Sequence, residues 1–350
     1  MINKKSFFSN CCRLLFVLFL ILLLPNKNVF AQTYRLIFAG CSGYYSSEFG
    51  KNLKSELENK SNGELRLELH SNCEVGNNTK LIEQTSIGLI DFSLLPTSFF
   101  SGIDERINIF TVPYEVPSKN QLKENQLMQQ IQQNIENKNI LILSWLYGSK
   151  RVLISNTAIN SLSDLESKKI ITPYKEFFSA LNANPVNVSL PEINKAFADG
   201  VADIVDLDIT TYIGVIHSNS HNFSQRYLIF SDHNRYIFPF IINKKRFESL
   251  PPNLQQIIRD SAVIATKMTE DFIKAKKNEA IRYFENTGIN VVWPNLSQWK
   301  EQSQSIRKQI INSYCPSCTG TTSECDCDKT DECDKDSNKE NCECDKDCKK

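Results

Sequence analysis

Several chemistries are excluded by what this 350-residue chain has little of. There are only four histidines (His70, His217, His221 and His233), and none belongs to a His-Glu-x-x-His run, which removes the zinc-protease pattern. Glycine is sparse, and no glycine-rich loop of the phosphate-cradling kind is present. Forty Lys and Arg balance forty Asp and Glu, so the chain offers no basic field for nucleic acid. After Leu24 no further apolar run is long enough to span a bilayer. Gly40-Cys41-Ser42-Gly43-Tyr44 follows a strand-like segment, but Tyr44 stands where a nucleophile elbow wants glycine, so it reads as a tight turn. His217 and His221 have helical ligand spacing yet lie in a Ser/Asn-rich stretch that reads as a loop. No enzyme, no cofactor and no nucleic-acid partner is expected.

The N-terminus supplies the first positive signal. Lys4, Lys5 and Arg13 precede the apolar run Leu14–Leu24, and Val29-Phe30-Ala31 offers a cleavage site before Gln32. This predicts an export signal over 1–31; an uncleaved N-terminal anchor is the alternative. Cys11 and Cys12 precede the apolar run and so form no lipobox. Removing the signal leaves about 319 residues, a length that favours two lobes over one. The charge is unevenly spread: residues 313–350 hold 11 acids and 6 lysines, a net of −5, and the signal carries +4. The body between them is therefore close to neutral.

Strand and helix signals alternate along that body. Tyr34–Gly40 reads as a buried strand, followed by a helix with Phe49, Leu53 and Leu57 on one face and Gly63 near its stop. Leu65–His70 alternates as a second strand. Asn77 or Asn78 caps a helix that Gly88 ends, and Leu89–Leu95 reads as a third strand. This order predicts a parallel sheet with covering helices, whose ligands sit beyond the carboxyl ends of the strands. Further strands are expected at Ile140–Trp145, Lys169–Thr172, Val201–Val205 and Tyr236–Ile242, with short helices at Lys175–Leu181 and Glu192–Ala198. The longest element runs from Pro251 or Pro252 to about Thr287, with proline at its start and Gly288 past its end. Its apolar stripe includes Leu254, Ile258, Ala262, Ala265 and Met268, and at 1.5 Å per residue it extends roughly 50 Å, enough to run along both lobes.

Twelve cysteines suit an oxidising compartment. Cys41 and Cys73 follow the first two strands, whose neighbouring ends lie within disulfide reach; two unrelated thiols are the competing reading. Eight more, from Cys315 to Cys348, lie in the acidic C-terminal segment, which has too few apolar residues to build a core. Cys315, Cys318, Cys325 and Cys327 are spaced to hold a soft metal such as zinc or copper(I), or to pair as disulfides.

The block Trp145-Leu-Tyr-Gly-Ser-Lys-Arg-Val-Leu-Ile, with Lys169-Ile-Ile-Thr-Pro173 and Ala196-Phe-Ala-Asp-Gly200 after it, resembles the solute receptors of TRAP transporters, the DctP family. Asn62-Gly-Glu-Leu65, Glu74-Val-Gly-Asn77, Ile87-Gly-Leu-Ile-Asp91, Val112-Pro-Tyr114, Ile241-Ile-Asn-Lys244 and Leu250-Pro-Pro252 extend the likeness over residues 33–312. The resemblance implies an α/β, two-lobed periplasmic binding protein (type II-like), each lobe a mostly parallel sheet with covering helices, bridged by the long helix. Lobe I is then 32–148 with 233–272, lobe II 149–232 with 273–312, and 313–350 is an acidic cysteine-rich tail. It further implies a periplasmic receptor that delivers a small organic acid to the membrane subunits of a TRAP transporter. The alternative is a surface or interaction protein that reuses the fold and binds metal through its tail.

Members of this family grip the ligand carboxylate with two arginines. The first falls on Arg151; the second falls on Ile171, which has no side-chain donor. In sialic-acid-binding members, other ligand contacts fall near Cys41, Asn78, Pro96, Leu190 and Leu207. Of these, Pro96, Leu190 and Leu207 cannot hydrogen-bond through their side chains. A buried unpaired polar group costs roughly 1–3 kcal/mol, so the expected solute is a monocarboxylate smaller or greasier than a sugar acid, held mainly by Arg151; a surface or inter-lobe salt bridge is the competing reading of that arginine. Lys150 and Asp206 are further candidate contributors, with no orientation assigned to either.

Overall fold

The computed structural model describes residues 32–189, 192–212 and 226–316. The predicted leader, Leu190, His217, His221 and the cysteines from Cys318 onward lie outside the described residues. Among the described residues no helix is long and apolar enough to cross a membrane.

The first half of the fold begins with β1 (Tyr34–Gly40), α1 (Tyr44–Lys60), β2 (Leu65–His70), α2 (Asn78–Ile87) and β3 (Phe92–Leu94). Asn77 caps α2 by accepting from the Lys80 N–H, and Gly88 ends it in the left-handed conformation at φ 80°. After α3 (Gln126–Glu136) comes β4 (Ile140–Ser155), which at 16 residues is far longer than the Ile140–Trp145 segment read from sequence. The second half holds β5 (Lys169–Ile171), α4 (Lys175–Ala180), β6 (Asn184–Val186), α5 (Ile193–Ala198), β7 (Ile204–Asp208) and β8 (Tyr227–Ile229). The chain then returns through β9 (Arg235–Asn243) and α6 (Lys244–Glu248) to α7 (Pro252–Asn286), and ends with β10 (Asn290–Val292), α8 (Leu296–Gln302) and α9 (Gln304–Tyr314).

One mixed sheet joins these strands in the order β2-β1-β3-β9-β4-β7-β5-β6, with β8 also on β4 and β10 on β8. The expected parallel pairing is found in the flanks: β1 with β2 and β3, and β5 with β6 and β7. The centre is antiparallel, because β9 runs back along β4 and β3, and β7 and β8 run against the far end of β4. Strand β4 is thus shared: its first part pairs with β9 and its last part with β7 and β8. Register shifts at Ile142/Ser144 and Tyr147/Lys150 bend it. At the second shift lies Gly148, where an added Cβ would stand 3.2–3.3 Å from Phe238, the Tyr236 carbonyl and the Tyr45 hydroxyl.

Both faces of the sheet are buried, which is why its strands read as nearly continuous apolar runs. In the first half Leu36 and Phe38 of β1 pack with Phe240 and Leu254 on one face, while Ala39 packs with Leu81 and Ile241 on the other. In the second half Val152, Val205 and Leu228 face one core; Leu153, Ile170 and Trp299 face another. Helix α7 serves both halves: Leu254, Ile258, Ala262 and Ala265 enter the first, Ala280 and Phe284 the second. Met268, placed in the apolar stripe from sequence, is 42% exposed; the buried row continues instead through Thr269 and Ile273. Helix α9 returns to the first half, where Ile311 and Cys315 join the core.

Candidate functional site

A cleft of about 710 Å³ opens between the two halves. Its walls come largely from the carboxyl ends of parallel strands, the expected place for a ligand in such a sheet. The turn after β1 brings Cys41, Ser42 and Tyr44; the segment after β3 brings Pro96 and Phe99. From the other half come Ile171 and Thr172 at the end of β5, and Asp206, Leu207 and Asp208 of β7. Arg151 enters from β4, directly after the bend at Gly148.

Arg151 is the most constrained group in this cleft, 1% exposed. Its Nε donates to Asp206 Oδ1 at 2.6 Å and its Nη2 to the Asp206 carbonyl oxygen at 2.6 Å. The rings of Tyr174 and Tyr236 flank it, with centroids 5.3 and 5.1 Å from Cζ, so cation–π attraction adds to the ion pair. Its Nη1 has no partner among the described residues. Asp206 also accepts from Thr172 Oγ1 at 2.7 Å. His233 Nε2 lies 3.2 Å from Asp206 Oδ1, within ion-pairing distance but off the line of a hydrogen bond. Burial opposes ionisation of Asp206, but the Arg151 guanidinium, aided by His233 and Thr172, outweighs it and holds the carboxyl down to about 2.

A second carboxylate, Asp208, is fixed by hydroxyls. Tyr45 Oη donates to its Oδ1 at 2.8 Å and Ser149 Oγ at 3.0 Å; Thr210 Oγ1 donates to the same oxygen, and the Thr211 N–H and hydroxyl also bond this carboxylate. Tyr45 belongs to α1 and Asp208 to β7, so this knot ties the two halves together at the cleft floor. Two more buried polar atoms of the cleft wall, Ser42 Oγ and Asn78 Oδ1, have no partner among the described residues. Among the described residues the cleft wall thus carries three unpartnered polar atoms set among apolar side chains.

The residues singled out from sequence are distributed as follows. Arg151, Asn78, Cys41, Ile171, Pro96 and Leu207 all line the cleft. Leu190 lies outside the described residues. Lys150 points away from the cleft and pairs with Asp232 at 2.7 Å, whereas Asp206 is the partner of Arg151. Cys41 and Cys73 are joined by a disulfide, which makes Cys41 part of the cleft's frame. Cys315 caps α9, is buried and is itself disulfide-bonded, so its sulfur is not a free thiolate for a metal. Ser42, Tyr45 and Asp208 were missed. The signal for the first two was their place directly after β1; for Asp208 it was the Asp-x-Asp alternation, which puts Asp206 and Asp208 on one side of a strand.

A two-halved α/β fold whose halves share one long strand and together wall such a cleft is that of a solute-binding protein. The chain belongs to the bacterial extracellular solute-binding protein family 7 (DctP), whose model matches residues 43–313. Among its relatives are the 2,3-diketo-L-gulonate-binding periplasmic protein YiaO of Escherichia coli, 22% identical over 69% of this chain and 75% of that one. The sialic acid-binding periplasmic protein SiaP of Vibrio cholerae is 22% identical over 80% of this chain and 88% of its own. The crystal structure of a TRAP periplasmic solute-binding protein from Sulfitobacter, with bound β-D-galacturonate, superposes with a TM-score of 0.67 at 17% identity, covering 81% of this chain and 96% of that one.

Proposed function

We propose that this protein is an exported receptor that captures a small organic acid and delivers it to the membrane subunits of a TRAP-type transporter, without performing chemistry on it. The observation that carries this reading is Arg151: a buried guanidinium on the cleft wall with one corner, Nη1, left without a partner among the described residues. A solute carboxylate completes that corner through a charge-assisted hydrogen bond. Two relatives whose names specify organic acids, 2,3-diketo-L-gulonate and sialic acid, support the ligand class.

The pocket has diverged from a double-arginine grip. Ile171 takes the second arginine's place and, with Pro96 and Leu207, gives an apolar wall. This favours one carboxylate on a compact apolar body over a polyhydroxylated acid. Residues 1–31 act as a cleaved export signal, and the lobes divide as 32–148 with 233–272 and 149–232 with 273–312, the end of the second stretch reaching back onto the first lobe through α9. The cysteine-rich tail is left without a role in solute capture; no observation favours the metal-binding alternative.

A thermal-shift screen of small organic acids on the full chain tests this, with Arg151→Ala as the control. An acid that raises the melting temperature of the wild type and leaves the variant unmoved supports the proposal. Stabilisation by zinc alone, lost on deleting 313–350, defeats it.

A further inference from the structure

Among the described residues, the charged side chains on the cleft wall are one arginine and two aspartates: Arg151, Asp206 and Asp208. Arg151 and Asp206 cancel, since they are ion-paired at 2.6 Å. Asp208 has no cation within salt-bridging distance among the described residues. Its partners are the hydroxyls of Tyr45, Ser149, Thr210 and Thr211 and one backbone N–H. Such donors spread a carboxylate's charge without neutralising it. Tyr45 and Tyr44 beside it are both raised above the ordinary tyrosine range, by burial first and by Asp208 second. A purely anionic solute would therefore bring a second negative charge into a cleft that already holds an unbalanced one.

Resting on the reading of Arg151 as the carboxylate anchor, we infer that the solute is a small zwitterion: a carboxylate on Arg151 Nη1, a cationic nitrogen turned towards Asp208, and an apolar body between. The unpartnered atoms agree with this division. Arg151 Nη1 can only donate and needs an acceptor, while Asn78 Oδ1, as placed, accepts and needs a donor, which a protonated amine supplies. The faces of Tyr44 and Phe99 on the same wall suit a cationic group more than a second anion. Ile171, Pro96 and Leu207 give part of the same wall an apolar face that suits the solute's body. The substrate class is thus small amino carboxylates, preferred over dicarboxylates and uronates.

Matched pairs that differ only in the nitrogen test this by isothermal titration on the full chain. L-proline is set against cyclopentanecarboxylate and L-leucine against 4-methylpentanoate, with succinate and D-glucuronate as dianionic and hydroxylated probes. The expected result is binding of at least one zwitterion about tenfold or more tighter than its nitrogen-free partner, and loss of that preference in Asp208→Asn. Because Asp208→Asn also loosens the inter-half knot, Asn78→Leu serves as the second variant and should weaken the zwitterion more than the plain acid. A plain acid that binds as tightly as its zwitterion, or tighter, overturns the inference; if Arg151→Met then abolishes binding of that acid, the organic-acid reading stands. Binding of any probe that survives Arg151→Met overturns both, as does the failure of every probe to bind.

Discussion

Replacing Asp206 by asparagine keeps the side chain's size and removes its charge. The carboxylate accepts from Arg151 Nε at 2.6 Å and Thr172 Oγ1 at 2.7 Å, and both it and Arg151 are almost fully buried. Removing one partner of such a pair strands the other charge in a low-dielectric site, which costs about 3–5 kcal/mol. The pH dependence gives an independent handle. The folded-state carboxyl sits at about 2, below its ordinary 3.8, so its contribution is present in full above the unfolded value and is lost as pH falls through about 2. A depression of that size corresponds to about 2–3 kcal/mol of stability. Urea denaturation of wild type and Asp206→Asn at pH 7 should therefore differ by about 3–5 kcal/mol, and the gap should shrink by about 2–3 kcal/mol as the pH approaches 2. Replacing both partners with apolar groups, Arg151→Met with Asp206→Leu, should recover much of the loss while abolishing solute binding. A difference below about 1 kcal/mol at pH 7, or one that does not change with pH, would refute the buried-pair reasoning.

Three further outcomes follow from the same contacts. Cys41→Ser with Cys73→Ser opens a crosslink that spans 32 residues, and calorimetry under non-reducing conditions should show a loss of about 3–4 kcal/mol. Tyr45→Phe removes a hydroxyl that donates to Asp208 and accepts from the Ser149 N–H at 3.1 Å; chemical denaturation should register about 1–3 kcal/mol. Gly88→Ala should cost about 1 kcal/mol in the same assay, because φ is 80° there while the nearest atom to an added Cβ is a harmless 3.5 Å away, so the penalty is backbone strain alone.

Much of the fold was legible because its elements obey local rules. The strand at Tyr34–Gly40, the Asn77 cap, the Gly88 stop and the proline-started long helix each rest on a signal contained in a few neighbouring residues. Strand starts were less legible, and for one shared reason. The expected strands at Leu89 and Val201 begin three residues late, at Phe92 and Ile204. In both cases the preceding helix reclaims the chain: the Leu89 N–H bonds back to the Gln84 carbonyl, and the Val201 N–H to the Ala196 carbonyl. Both side chains are consequently exposed, although their apolar character had marked them as strand. The unbroken course of β4 through Gly148 was hidden because a glycine inside a strand reads as a break, whereas here it permits the close approach of Phe238 and Tyr45. At the site, the residues that face the cleft could be placed from the family resemblance. Their partners could not, since the pairing of Arg151 with Asp206 joins residues 55 apart and depends on the β4–β7 register. That register also decides the direction of Lys150, which faces a groove of about 550 Å³ shared with Lys119, Arg235, Lys267, Lys274 and Lys277.

The groove and the cleft offer an anion two competing destinations on one molecule. A crystal structure of the protein with its tightest-binding carboxylate decides between them most directly. The account predicts a carboxylate oxygen about 2.7–2.9 Å from Arg151 Nη1, in the cleft between the two halves. A carboxylate seated among the lysines of the groove, with Arg151 Nη1 still unpartnered, would contradict it.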